Sequence, residues 1–172
     1  AALPRALDYL DRLEARGRYT LMVWPVHCEI GSWGHNVHAA LRAAYNRWEM
    51  QGPRLVEKVM KGANPWSEHY SAIEAEVPDP QDPATQRNVE LLARLAEANL
   101  LLIAGEASSH CVRATAEDVA AALPPERLVL LTDCISPVAG FEDRHAAFLD
   151  DMRQRGVRLA TSTEMAAELG AA

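Results

Sequence analysis

The sequence predicts an open α/β domain built on a parallel sheet. Three observations carry this reading. Short apolar runs alternate with amphipathic helical segments through the second half of the chain. Glycine and proline punctuate the junctions between them. The length, 172 residues, suits one domain with a core of its own.

The elements follow in chain order. Leu3, Ala6, Leu7, Leu10 and Leu13 recur at helical spacing, and Gly17 stops that helix. Tyr19 to Trp24 is a short apolar run that predicts a buried strand, ended by Pro25. His35 to Trp48 is helical in composition and closes at Gly52-Pro53. Leu55 to Met60 predicts a second strand, leading into Lys61-Gly62. Ala63 to Pro83 holds four prolines and reads as a long loop, a length that is usually functional or disordered. Thr85 to Ala98 predicts an amphipathic helix, and Leu100 to Ala104 a buried strand ending at Gly105. Val112 to Leu123 is a helix closed by Pro124-Pro125, and Leu128 to Leu131 a strand ending at Thr132-Asp133. Phe141 to Arg155, Val157 to Ala160 and Ser162 to Leu169 complete the pattern as helix, strand and helix. The chain opens on a helix, where doubly wound folds usually open on a strand that carries site residues at its carboxyl end. That first strand is expected to be absent.

Composition narrows the function classes. Hydrophobic residues make up 49% and charged residues 24%, the balance of a globular domain rather than a disordered one. No apolar run approaches the roughly 20 residues needed to cross a bilayer. Ala1 to Leu13 has acidic residues and no signal-peptide core. The net charge of -7 argues against nucleic acid or an anionic membrane as partner. Three cysteines, Cys28, Cys111 and Cys134, make no disulfide framework, so a reducing cytoplasm is expected. Cys28 and Cys134 read most simply as buried thiols.

One segment carries chemistry. Leu100 to Ala104 predicts a strand that runs into Gly105, a tight turn follows, and a helix begins at about Cys111. This sets a thiol at the carboxyl end of a parallel strand, where open α/β sheets bind ligands. It also sets the thiol at a helix N-terminus, whose dipole and free N–H groups favour an anion and can hold an oxyanion. On these features alone a small buried core cysteine is an equal alternative.

Gly105-Glu106-Ala107-Ser108-Ser109-His110-Cys111-Val112-Arg113-Ala114-Thr115 resembles the nucleophile segment of the isochorismatase-like cysteine hydrolases, most closely that of nicotinamidases. Trp24-Pro25-Val26-His27-Cys28 is similar to the nicotinamidase Trp-Pro-x-His-Cys motif. Lys61-Gly62, followed by Tyr70-Ser71, resembles the stretch that carries the catalytic lysine. Each motif alone is weak to moderate, and three in register are strong.

The resemblance implies a three-layer doubly wound parallel sheet with helices on both faces. It implies that Cys111 attacks an amide carbonyl to give a thioester, with the N–H groups of Cys111 and Ala107 as oxyanion hole. It implies a cis peptide at Glu106-Ala107, and Lys61 beside the thiol as the group that stabilises charge. Trp24 and Tyr70 match aromatic positions of the substrate pocket, against a plain packing role for both. His27 matches a metal-binding histidine, which in nicotinamidases joins an upstream Asp and His to hold Zn, Fe or Mn. A lone histidine binds no metal tightly, and no Asp-x-His precedes it here, so a metal is expected in a full-length parent and is not secure in this chain. His110 reads as a local structural or pocket residue, and His35 and His38 as a solvated helix face.

The chain departs from the family at the general base. The family aspartate sits at the end of the first strand, and no such segment exists here; Asp8 and Asp11 lie on an amphipathic helix. The simplest account is a single domain over residues 1–172 that is an N-terminally truncated piece of a longer hydrolase; a degenerate homologue is the other. The expected activity is hydrolysis of nicotinamide or a related small amide, with little turnover from this chain alone. Isochorismate or ureidoacrylate hydrolysis is one alternative, and a catalytically dead binding or oligomerisation domain another. Homo-oligomerisation stays open.

Overall fold

The computed structural model describes residues 2–170. It has two compact units, Ala1–Tyr9 with Met60–Ala172, and Leu10–Val59.

The first unit holds the sheet. Leu101–Glu106 (β1), Leu128–Ser136 (β2) and Arg158–Ala160 (β3) run parallel in the order β1-β2-β3. The β2 run Leu-Val-Leu-Leu is apolar on both faces because both are covered. Leu128 and Leu130 join a core with Val112, Ala116 and Val119 of Cys111–Ala122 (α4) and Phe148 and Met152 of Glu142–Gln154 (α5). Val129 packs oppositely, with Ala160 and with Met165 of Ser162–Gly170 (α6). Helices therefore lie on both faces of a parallel sheet, the three-layer α/β arrangement expected. No strand among the described residues precedes β1.

Local chemistry sets the helix limits. Val89–Ala96 (α3) starts later than Thr85 because the Asn88 side chain caps it, accepting from Leu91 N–H at 3.0 Å. α4 stops at Leu123, since the residue before a proline is steered out of the helical region. α5 has Glu142 and Asp143 in its first turn and Arg153 in its last, which suits the helix dipole. β2 outruns its predicted end at Leu131. Its pairing to β1 skips, Ile103 facing Leu130 and Gly105 facing Ile135, so the irregular stretch carries β2 on to meet the end of β1.

The long loop before Thr85 is well anchored. Arg5, on Ala2–Arg16 (α1), pairs with Asp79 at 2.9 Å and stacks over Trp66. The Thr85 hydroxyl accepts from Asp79 N–H at 2.8 Å and donates to the Asp82 carbonyl at 2.7 Å.

In the second unit, Ala39–Glu49 (α2) is capped by His38, whose ring accepts from Ala40 N–H. His35 ends a single helical turn, Trp33–His35. The two strands expected at Tyr19–Trp24 and Leu55–Met60 are irregular instead. A strand needs a neighbour for its N–H and C=O groups, and neither segment belongs to the sheet of the described residues. Leu21, Val23 and Leu55 are accordingly exposed. Cys28 and Cys134 are exposed as well, not buried. Cys28 takes a positive φ in an irregular segment, and Cys134 lies in the irregular part of β2. No described helix is long and apolar enough to cross a membrane.

Candidate active site

β1 delivers the chain to the site. Gly105, at φ 124, takes a conformation that side chains disfavour, and the peptide bond Glu106-Ala107 is cis, where the resemblance puts one. Residues 107–110 then turn back. The Ala107 carbonyl accepts from His110 N–H and Val112 N–H, each at 3.0 Å. Cys111 follows as the first helical residue of α4 and is half-buried. An amide at that position has no intrahelical acceptor, so it is available to an incoming oxygen.

Lys61 reaches this thiol from fifty residues away. Its Nζ donates to the His69 carbonyl at 2.8 Å and lies 3.6 Å from Cys111 Sγ. The Lys61–Ala72 segment is tied to α4 through Thr115. Ala72 N–H donates to Thr115 Oγ1 at 3.0 Å, and that hydroxyl donates to the Cys111 carbonyl at 2.8 Å. Burial first, and then the Lys61 cation, hold the His69 imidazole below its ordinary range, so that ring is neutral beside the lysine.

Tyr70 is buried against His110. Its hydroxyl donates to Glu68 at 2.9 Å, and its ring lies 5.5 Å from that of His110, centre to centre. Tyr9 donates to the other Glu68 oxygen at 3.2 Å, and burial pushes its phenol up to about 12. His110 is pinned between Tyr70 and Phe141, the latter ring edge-on at 4.7 Å. Burial, with Arg144 and Arg113 nearby, lowers its pKa to about 4.

The structure thus brings Cys111, Lys61 and Ala107 together, with Tyr70 against His110. Trp24 and His27 lie in the second unit; Trp24 is half-buried, and His27 is exposed with Nδ1 2.6 Å from the Pro25 carbonyl. The sequence reading missed Thr115, Ser108, Ser109 and His145. A signal for His145 exists. It shares one α5 face with Phe148 and Met152, at the i, i+3, i+7 spacing of a core stripe, where a histidine needs a reason.

The residues present do not fit a metal centre. Among the described residues, no three His, Cys, Asp or Glu side chains converge. His27 points one ring nitrogen at the Pro25 carbonyl. Nor does any carboxylate among the described residues hydrogen-bond to Cys111 Sγ.

No protein-family model matches the chain, and no curated protein sequence does. Solved structures do match. Yeast nicotinamidase bound to the inhibitor nicotinaldehyde superposes with a TM-score of 0.62 over 83% of this chain, at 17% identity. A nicotinamidase/pyrazinamidase from Acinetobacter baumanii gives 0.55 over 84%, at 18% identity. Pyrococcus horikoshii pyrazinamidase in complex with zinc gives 0.55 over 92% of this chain and 83% of its own, at 19% identity. The chain spans 60% of the yeast enzyme and 62% of the Acinetobacter one. At these identities the likeness speaks for architecture: this chain has the isochorismatase-like α/β fold, and is similar in it to nicotinamidases and pyrazinamidases.

Proposed function

We propose that Cys111 is the nucleophile of an amidohydrolase acting on a small non-peptide amide, nicotinamide or a close relative. The observation that carries this is the Lys61 ammonium 3.6 Å from Sγ at the start of α4. A cation there balances negative charge on the attacking sulfur. Sγ bonds to the amide carbon, and the carbonyl electron pair moves to oxygen, where the N–H groups of Ala107 and Cys111 are the available donors. Collapse restores the carbonyl and breaks the C–N bond. The nitrogen leaves with the thiol's proton as ammonia, and a thioester remains on Cys111. Water then splits the thioester to acid and free thiol.

Proton transfer is the weak step. In the family resembled, an aspartate carries the proton, and no carboxylate of the described residues bonds to Sγ. Turnover by this chain is therefore slow, while capture of an electrophile by Cys111 is retained. The chain's partner is a small molecule, and a reducing compartment keeps the thiol free.

Nicotinaldehyde labelled with ¹³C at the carbonyl tests this. A thiohemiacetal on Cys111 is expected by NMR, lost in Cys111→Ser and weakened in Lys61→Ala. Ammonia release from nicotinamide should be slow and dependent on Cys111. No adduct, or one that survives Cys111→Ser, overturns the proposal. The missing carboxylate also favours a second reading, a binding domain without turnover. That reading predicts the adduct with no Cys111-dependent ammonia.

A further inference from the structure

Three consecutive polar residues immediately before Cys111 are buried: Ser108 and Ser109 are fully enclosed, and His110 is 2% exposed. Buried polar groups need hydrogen-bond partners, so the bonds these residues make define where the turn can sit. Each of the three has a contact that reaches the end of β2, the connection after it or the start of α5. Ser108 N–H donates to the Ser136 carbonyl at 2.8 Å. Ser109 Oγ accepts from Val138 N–H at 3.0 Å and lies 2.9 Å from His110 Nδ1. The His110 ring meets Phe141, the residue that leads into α5. Ser108 Oγ lies 2.7 Å from His145 Nδ1, one turn into α5.

We propose that His145 is a positioning residue for Cys111. Through Ser108 it fixes the turn that sets Sγ opposite Lys61. The alternative, that His145 merely fills space, fits the geometry poorly. Phe148 and Met152 continue the same helix face as buried core. An apolar residue at 145 would extend that face with no partner required. A half-buried histidine there is instead bonded, across 37 residues of sequence, to the third residue before the nucleophile. Ser108 has both its amide and its hydroxyl committed, its main chain to the end of β2 and its side chain to α5.

The inference deepens the proposed function and rests on it for its purpose, but the test needs no substrate. Alkylation of Cys111 by iodoacetamide is followed by mass spectrometry of the intact folded chain, with Cys28 and Cys134 as internal references and urea unfolding as the stability control. Ser108→Ala and His145→Ala should each slow Cys111 about fivefold or more, and the double variant no more than the worse single one, as members of one unit behave. His145→Asn, which offers a polar atom at the Nδ1 reach, should restore the rate to within about twofold. His145→Leu should fold at least as stably and not restore it. Three results would overturn the proposal: wild-type alkylation in His145→Ala or His145→Leu, additive single effects, or recovery by Leu as well as Asn. Should His145→Ala fail to fold, the Asn and Leu variants decide the matter. Absence of the nicotinaldehyde adduct alongside this coupling sinks the amidase reading and leaves the positioning role standing.

Discussion

At Cys111 the sulfur faces one cation and no carboxylate among the described residues. Removing that cation is the most direct perturbation. Lys61→Ala should slow alkylation of Cys111 at neutral pH by about three- to tenfold, the scale of one charge contact at a part-exposed site. An unchanged rate would separate Lys61 from the chemistry. His110 supports a second prediction, with its sign set by linkage. Its pKa falls from 6.5 to about 4 in the folded chain. Between those values the unfolded chain holds the extra proton, so stability is full above the upper value and is lost as pH drops toward the lower. The loss is on the order of 1–3 kcal/mol. His110→Phe keeps a ring between Tyr70 and Phe141 and removes the titration. Its urea midpoint should fall less than the wild type's on going from about pH 7 to about pH 4.5, and an equal fall would clear His110 of the effect. Of this site, the thiol was legible from strand, turn and helix signals in neighbouring residues. Lys61 was legible only through its likeness to a known motif, because nothing local brings residue 61 to residue 111. His145 was missed although its place on a helix face with Phe148 and Met152 carries a signal, and nothing local points to its partner at 108.

Elements that make their own contacts were the legible ones. β1, β2 and β3 pair with one another, and their apolar runs translate directly into strands. Tyr19–Trp24 and Leu55–Met60 have strand-like sequences but stay irregular, since β propensity measures fit to a pleated neighbour rather than a backbone preference. Helix ends followed caps that a periodicity count overlooks, as at Asn88. The relative worth of cap and core can be measured. Asn88→Ala should cost about 1 kcal/mol, a single N-cap bond to Leu91 N–H. Phe148→Ala should cost about 3–5 kcal/mol, because α5 packs on β2 through that fully buried ring. Urea denaturation orders the two. A cap variant as damaging as the core variant would mean that α3, rather than the sheet with α4 and α5, governs cooperativity.

For the whole molecule, two opposed properties decide behaviour in solution. Among the described residues no strand pairs with the outer side of β1, where Leu102 is 42% exposed. The second unit separately exposes Val23, Trp33 and Met50, each nearly bare. Open edges and apolar surface favour self-association. The net charge of -7 opposes it, but only over the screening length, about 8 Å at physiological salt. The chain should therefore be monomeric when dilute at low salt and gain mass as salt or concentration rises. Sedimentation velocity reads this directly. Leu102→Lys sets a charge on the edge strand and should delay the onset to higher salt, without altering Cys111 alkylation in the monomer. A mass independent of salt would show that the open side of β1 is no liability. An onset unmoved by Leu102→Lys, but moved by Trp33→Lys, would place the association on the second unit.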